Sequence, residues 1–123
     1  MKEMRLRIPS NTGNKFFILL SILKFIPPYN RLTKREREVL AELYYHNAAL
    51  AYIEEEKRMK LVFDYDTRLE IATKLNVSSG SIYNIVASLK RKGLLENRAF
   101  VEKYVLHDVD SLIFEFLKDG NSV

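Results

Sequence analysis

Between Ser78 and Asn84 the chain reads Ser-Ser-Gly-Ser-Ile-Tyr-Asn. Three hydroxyls, a phenol and an amide gather there around one glycine. Such groups donate and accept hydrogen bonds without changing charge near neutral pH. They suit the reading of a polar surface better than the making of bonds. Little else in the chain suits bond-making. There is no cysteine, and only His46 and His107 carry imidazole. A disulfide and a thiolate metal site are excluded, and a histidine-based metal centre is not expected. Asp64 and Asp66 flank Tyr65 at a spacing that could hold a divalent ion, but Asp66 reads better as a turn residue ahead of Thr67. Glu54, Glu55 and Glu56 read as a solvated face. No nucleophile with a base and an orienting third group can be assembled, and there is no glycine-rich phosphate loop. We expect no enzyme, no cofactor, no metal and no small-molecule substrate.

The charge distribution agrees with a recognition role. The net charge is +4, but residues 1–35 carry +7, 36–66 carry −4, 67–103 carry +4 and 104–123 carry −3. Two basic zones on a near-balanced chain suggest an anionic partner held on part of the surface. The longest apolar run, FFILLSILKFI at 16–26, is too short to span a bilayer, which needs about 20 residues. Breakers precede it and no small-residue cleavage site follows, so it reads as a buried helix. The expected setting is cytoplasmic, with no membrane partner.

At 123 residues the length fits one domain. Residues 1–14 read as an exposed basic arm broken by Pro9 and Asn-Thr-Gly-Asn. A first helix is expected over 15–26, closed by Pro27-Pro28. Thr33 and Glu36 form a capping box for a second helix, expected to reach Met59 with a kink near His46-Asn47. Lys-Leu-Val-Phe-Asp-Tyr at 60–65 reads as a short strand. Thr67 and Glu70 repeat the capping-box spacing and open a helix ending near Leu75. After Asn-Val-Ser, Ser78 caps a further helix with a buried stripe of Ile82, Ile85, Val86 and Leu89. Gly93 closes that helix. Two short antiparallel strands are expected around Arg98-Ala99-Phe100, with Phe100 folded back onto Tyr104. A last helix is expected over 108–119.

The order helix, strand, helix, turn, helix, strand, strand resembles the winged helix-turn-helix family, with a match over about 61–107. The resemblance rests on EIATKLNVSSGSIYNIVASLKRKGLLE. Ile71, Ala72, Leu75, Val77, Ile82, Val86, Leu89, Gly93 and Leu94 stand where that family places its core and its turns. The implied fold is mainly α with a small β-hairpin wing (α+β), with extra N-terminal and C-terminal helices. KYVLHD is similar to the end of the winged helix in small plasmid replication initiators.

The resemblance implies a sequence-selective double-stranded DNA-binding protein, a transcription regulator. Residues 79–92 would lie in the major groove, and the wing, 94–106, along the backbone or minor groove. Small residues at 79–81 let a helix N-terminus come close to bases and phosphates. The DNA-facing set is then Ser79, Ser81, Tyr83, Asn84, Ser88, Lys90, Arg91, Lys92, Arg98 and Lys103. Asn84 can read adenine, and Ser81 several base edges. Lys90, Arg91 and Lys92 suit phosphates, and Arg98 a narrow minor groove. A bland account has Ser78 only capping, Tyr83 only packing and the basic triplet only complementing the helix dipole. The alternative function is a protein-interaction or structural winged-helix module of a phage or plasmid, or a replication initiator. The apolar segments 15–26 and 112–117 point to a homodimer built on them.

Overall fold

The computed structural model describes residues 2–118. It is mainly helical with one small antiparallel sheet. The order is α1 (Lys15–Ile22), α2 (Lys34–Ala49), α3 (Glu55–Val62), α4 (Tyr65–Leu75), α5 (Ser79–Arg91), β1 (Leu95–Glu96) and β2 (Ala99–Phe100). Short 3-10 turns follow α1, precede α2 and follow β2.

Helix α2 is the centre of the molecule. The capping box forms as expected: Glu36 N–H donates to Thr33 Oγ1 at 3.1 Å and Thr33 N–H donates to Glu36 Oε1 at 2.8 Å. Val39, Leu40, Leu43 and Tyr44 recur at helical spacing and are all buried. Around them pack α1, α3, α4 and α5. The core joins Phe16 and Leu20 from α1, Val62 and Phe63 at the end of α3, Ile71 and Ala72 from α4, and Ile82 and Leu89 from α5.

Several expectations are corrected. The first helix turns to 3-10 geometry at Leu23 rather than running to Ile26. The second ends at Ala49, not Met59. Arg58 holds that break: Nε donates to Asn47 Oδ1 at 2.8 Å and Nη1 to the Ile53 carbonyl at 2.6 Å. A side chain thus satisfies a backbone group that a continuous helix would have paired. The strand expected at 60–65 is instead the last turn of α3 and the entry to α4. A six-residue apolar run does not separate a strand from a buried helix end. The cap of α4 is Asp64, whose Oδ1 accepts from Thr67 N–H at 2.8 Å. Thr67 lies inside the helix and its Oγ1 donates to the Leu61 carbonyl at 2.7 Å, stitching α3 to α4.

The hairpin is present but short, with Leu95 opposite Phe100 and Glu96 opposite Ala99. Its turn is Asn97-Arg98, so Ala99 and Phe100 are strand and Lys103 falls in a 3-10 turn beyond it. Phe100 reaches the core rather than Tyr104, with ring centroids 5.3 Å from Tyr44 and 5.1 Å from Phe63. Residues 109–118 form no helix. Isolated helices of about a dozen residues are marginal without a surface to pack on, and this stretch is rich in aromatic and branched side chains. Asp119, the last residue of the expected helix, lies outside the described residues.

Candidate nucleic-acid interface

Two left-handed residues end the two helices of the α4–α5 unit. Asn76, at φ 56°, turns the chain out of α4, and Val77 N–H donates back to the Ala72 carbonyl at 3.0 Å. Asparagine tolerates this conformation better than most residues. Ser78 then caps α5, accepting from Ser81 N–H at 3.0 Å. At the far end Gly93 has φ 83°, and Leu94 N–H donates to the Leu89 carbonyl at 3.0 Å. This is the helix ending expected from Gly93.

Helix α5 is then held on one flank by α2. Ser88 Oγ donates to Glu36 Oε2 at 2.5 Å, and Lys92 Nζ donates to Glu36 Oε1 at 2.5 Å. Lys92 Nζ also donates to the Arg31 carbonyl at 2.8 Å, while Arg31 Nη2 donates to the Lys92 carbonyl at 2.7 Å. Cations therefore sit at the C-terminal end of α5, where the helix dipole favours them. Glu36 is buried. Burial opposes its ionisation, yet the hydrogen bonds from Lys92, Ser88 and Thr33 win and lower its pKa to about 2. A second buried carboxylate, Glu42, accepts from Lys74 Nζ at 2.9 and 2.8 Å and ties α2 to α4.

The expected site residues divide accordingly. Ser88 was expected on the open face; it is half-buried and turned to Glu36, because α2 crosses on that side. Lys92 is likewise committed to Glu36 rather than turned outward. Ser81, Tyr83, Asn84, Lys90 and Arg91 are exposed, and Ser79 is half-buried. Ser81 Oγ lies 2.9 Å from Ser78 Oγ, at the helix start. Among the described residues Lys90, Arg91 and Arg98 form no ion pair. Arg98 sits exposed at the hairpin tip, at φ 55°, beside an open groove lined by Glu55, Glu56, Met59 and Lys60. Lys103 Nζ lies 5.3 Å from the centre of the Tyr104 ring.

Sequence reasoning named Asn84, Arg91 and the small residues at 79–81 but missed Ala87, which completes their row. Gly80, Asn84, Ala87 and Arg91 recur at i, i+4, i+7 and i+11, on the side of α5 away from buried Ile82 and Leu89. Helical spacing alone could have found it. Glu36, Glu42 and Arg31 were also missed as positioning residues. No spacing rule links Glu36 to Ser88, 52 residues away.

Gly80 is not demanded by the fold. A Cβ placed there would meet only Ser78 Oγ, at an ordinary 3.9 Å. Glycine within a helix costs up to about 1 kcal/mol relative to alanine. The helix accepts that cost where the outward row begins. What the row offers is a close-approach point, an amide and a guanidinium in line. No helix among the described residues is long and apolar enough to cross a membrane, and no group of metal-ligating residues is found among them. No family model, no curated protein and no solved structure matches the chain.

Proposed function

We propose that this chain is a sequence-selective double-stranded DNA-binding protein of winged helix-turn-helix type, acting as a transcription regulator. Helix α5 enters the major groove along the row Gly80, Asn84, Ala87 and Arg91. The observation that carries this reading is Gly80: a glycine that the internal packing does not need, at the front of an outward row that carries Asn84 and Arg91. A duplex pressed against the helix start needs that space. Asn84, one turn in, reaches base edges, where a bidentate pair with adenine contributes about 1–3 kcal/mol of discrimination. Arg91 and Lys90 take phosphates near the point where the helix leaves the groove. Arg98 at the hairpin tip and Lys2 of the arm supply further phosphate contacts. Lys92 and Ser88 stay with Glu36 and fix the rotation of α5 on the body.

The test is selection of bound duplexes from a random pool, followed by titration at several salt concentrations. With about four phosphates neutralised, log affinity falls against log salt with a slope near −4. No binding to any duplex at low salt would remove this reading. Tyr65 and Tyr83, each exposed, favour the alternative, a protein-docking module. That alternative predicts no enriched sequence and no salt slope.

A further inference from the structure

Two segments outside the α4–α5 unit expose runs of apolar side chains. In the arm, Met4, Leu6 and Ile8 are 85%, 76% and 52% exposed and alternate with Arg5 and Arg7. In the tail, Leu112, Ile113, Phe114, Phe116 and Leu117 are all exposed, Phe116 at 98%, and Glu115 alone interrupts them. The arm's alternation is the pattern of a strand with one apolar face, and the tail, extended, offers apolar side chains to either side. Each segment lacks what the other has. The arm carries Lys2, Arg5 and Arg7 against Glu3; the tail carries Asp108, Asp110 and Glu115 against Lys118.

The tail already lies along α1. Lys15 Nζ, at the start of α1, bonds Asp108 Oδ1 at 2.6 Å, and the Phe114 ring is 6.5 Å from Phe25, beyond the end of α1. Helix α1 is itself apolar on every side, yet only Phe16 and Leu20 are fully buried. Its outer side, with Phe17, Ile18 and Ile22, is half-covered. The arm leaves from the start of α1, and the tail tip lies at the other end.

We infer that two copies of this chain associate by strand exchange, residues 4–8 of one pairing with residues 112–116 of the other beside α1. A two-fold axis that sets the two α1 helices antiparallel brings the root of each arm to the partner's tail tip. With Leu6 opposite Phe114, Met4 and Ile8 fall opposite Leu112 and Phe116 in either strand direction. Glu115 then meets Arg5 in one direction and Arg7 in the other. Opposite charges and apolar pairs across strands both stabilise such a ladder. The closed two-fold exchange also covers edges that would otherwise invite open-ended pairing.

The chain has no cysteine, so cross-linking is free of background. Leu6→Cys and Phe114→Cys are made as separate full-length chains, mixed and oxidised. The expected product is a mixed disulfide dimer, well in excess of either self-linked dimer. The unmodified chain should show a dimer mass by light scattering at high micromolar concentration. Arg5→Glu with Arg7→Glu should abolish the dimer, and adding Glu115→Arg to the same chain should restore it. All of these residues are exposed, and circular dichroism checks that the body stays folded. A monomeric mass for the unmodified chain overturns the inference. So does a Leu6→Cys/Phe114→Cys double variant that closes on itself as a cross-linked monomer. No step uses DNA, so the result stands apart from the proposed function.

Discussion

Ser88 and Ser81 are the same residue type on the same helix, and their surroundings differ. Ser88 Oγ is spent on Glu36, whereas Ser81 stays exposed beside its cap partner Ser78. Lys92 and Arg91, neighbours in sequence, repeat the contrast: Lys92 is bound to a buried carboxylate, and Arg91 has no ion-pair partner among the described residues. One flank of α5 is therefore a fixing surface and the outer row a free one. A side chain's capacity for hydrogen bonding does not assign it a role on this helix. The crossing of α2 does.

If that division is right, changes on the two sides act on different quantities. The largest effect belongs to the buried side. Leu89→Ala empties a fully buried site and should destabilise the fold by about 2–5 kcal/mol, read as a lowered melting temperature. Near-normal melting would mean that α5 is not seated as described.

Glu36 comes next. Glu36→Ala leaves Lys92 and Ser88 without their partner, and since Lys92 still reaches some water the cost should be about 1–3 kcal/mol. The same carboxylate sets a pH dependence. Its folded pKa, about 2, lies below its ordinary value. Its contribution is therefore present in full above the unfolded pKa, about 4.3, and is lost as pH falls through that value toward 2. The gap in melting temperature between pH 7 and pH 3 should narrow in Glu36→Gln. An unchanged gap would show that Glu36 is not the carboxylate at work.

On the free side, Asn84→Ala should leave stability within about 0.5 kcal/mol, as exposed positions do. It should weaken binding to a selected duplex by about 1–3 kcal/mol and relax preference at one base pair. Arg91→Ala should instead weaken selected and scrambled duplexes alike and reduce the salt slope by about one. Equal behaviour of the two variants on both duplexes would erase the distinction between reading and holding. The smallest effect, and the one of opposite sign, is at Gly80. Gly80→Ala should raise stability by up to about 1 kcal/mol while lowering duplex affinity.

How much of this was legible beforehand depended on the range of the interaction. The Thr33–Glu36 box, the Ser78 cap and the Gly93 ending follow from residues three or four apart, and all are present. The break after α2 is held by Arg58 acting on Asn47 and Ile53, and nothing in the apolar period announces it. The cap of α4 was read one signal too late, because Asp64 and Thr67 both satisfy the pattern and only packing chooses between them. On α5 the buried face was legible from its period. The loss of Ser88 and Lys92 to α2 was not, since it depends on where Glu36 arrives in space.

The most direct measurement is an amide chemical-shift titration of the isotopically labelled chain with a selected duplex at low salt. We expect the amides of Gly80, Ser81, Asn84 and Arg91 and the side-chain amide of Asn84 to move first, with Arg98 following. The amides of α3 and of Ser88 should move least. No shift at all, or shifts confined to α1 and α3 with the outer row of α5 unmoved, would contradict the assignment of α5 as the reading helix.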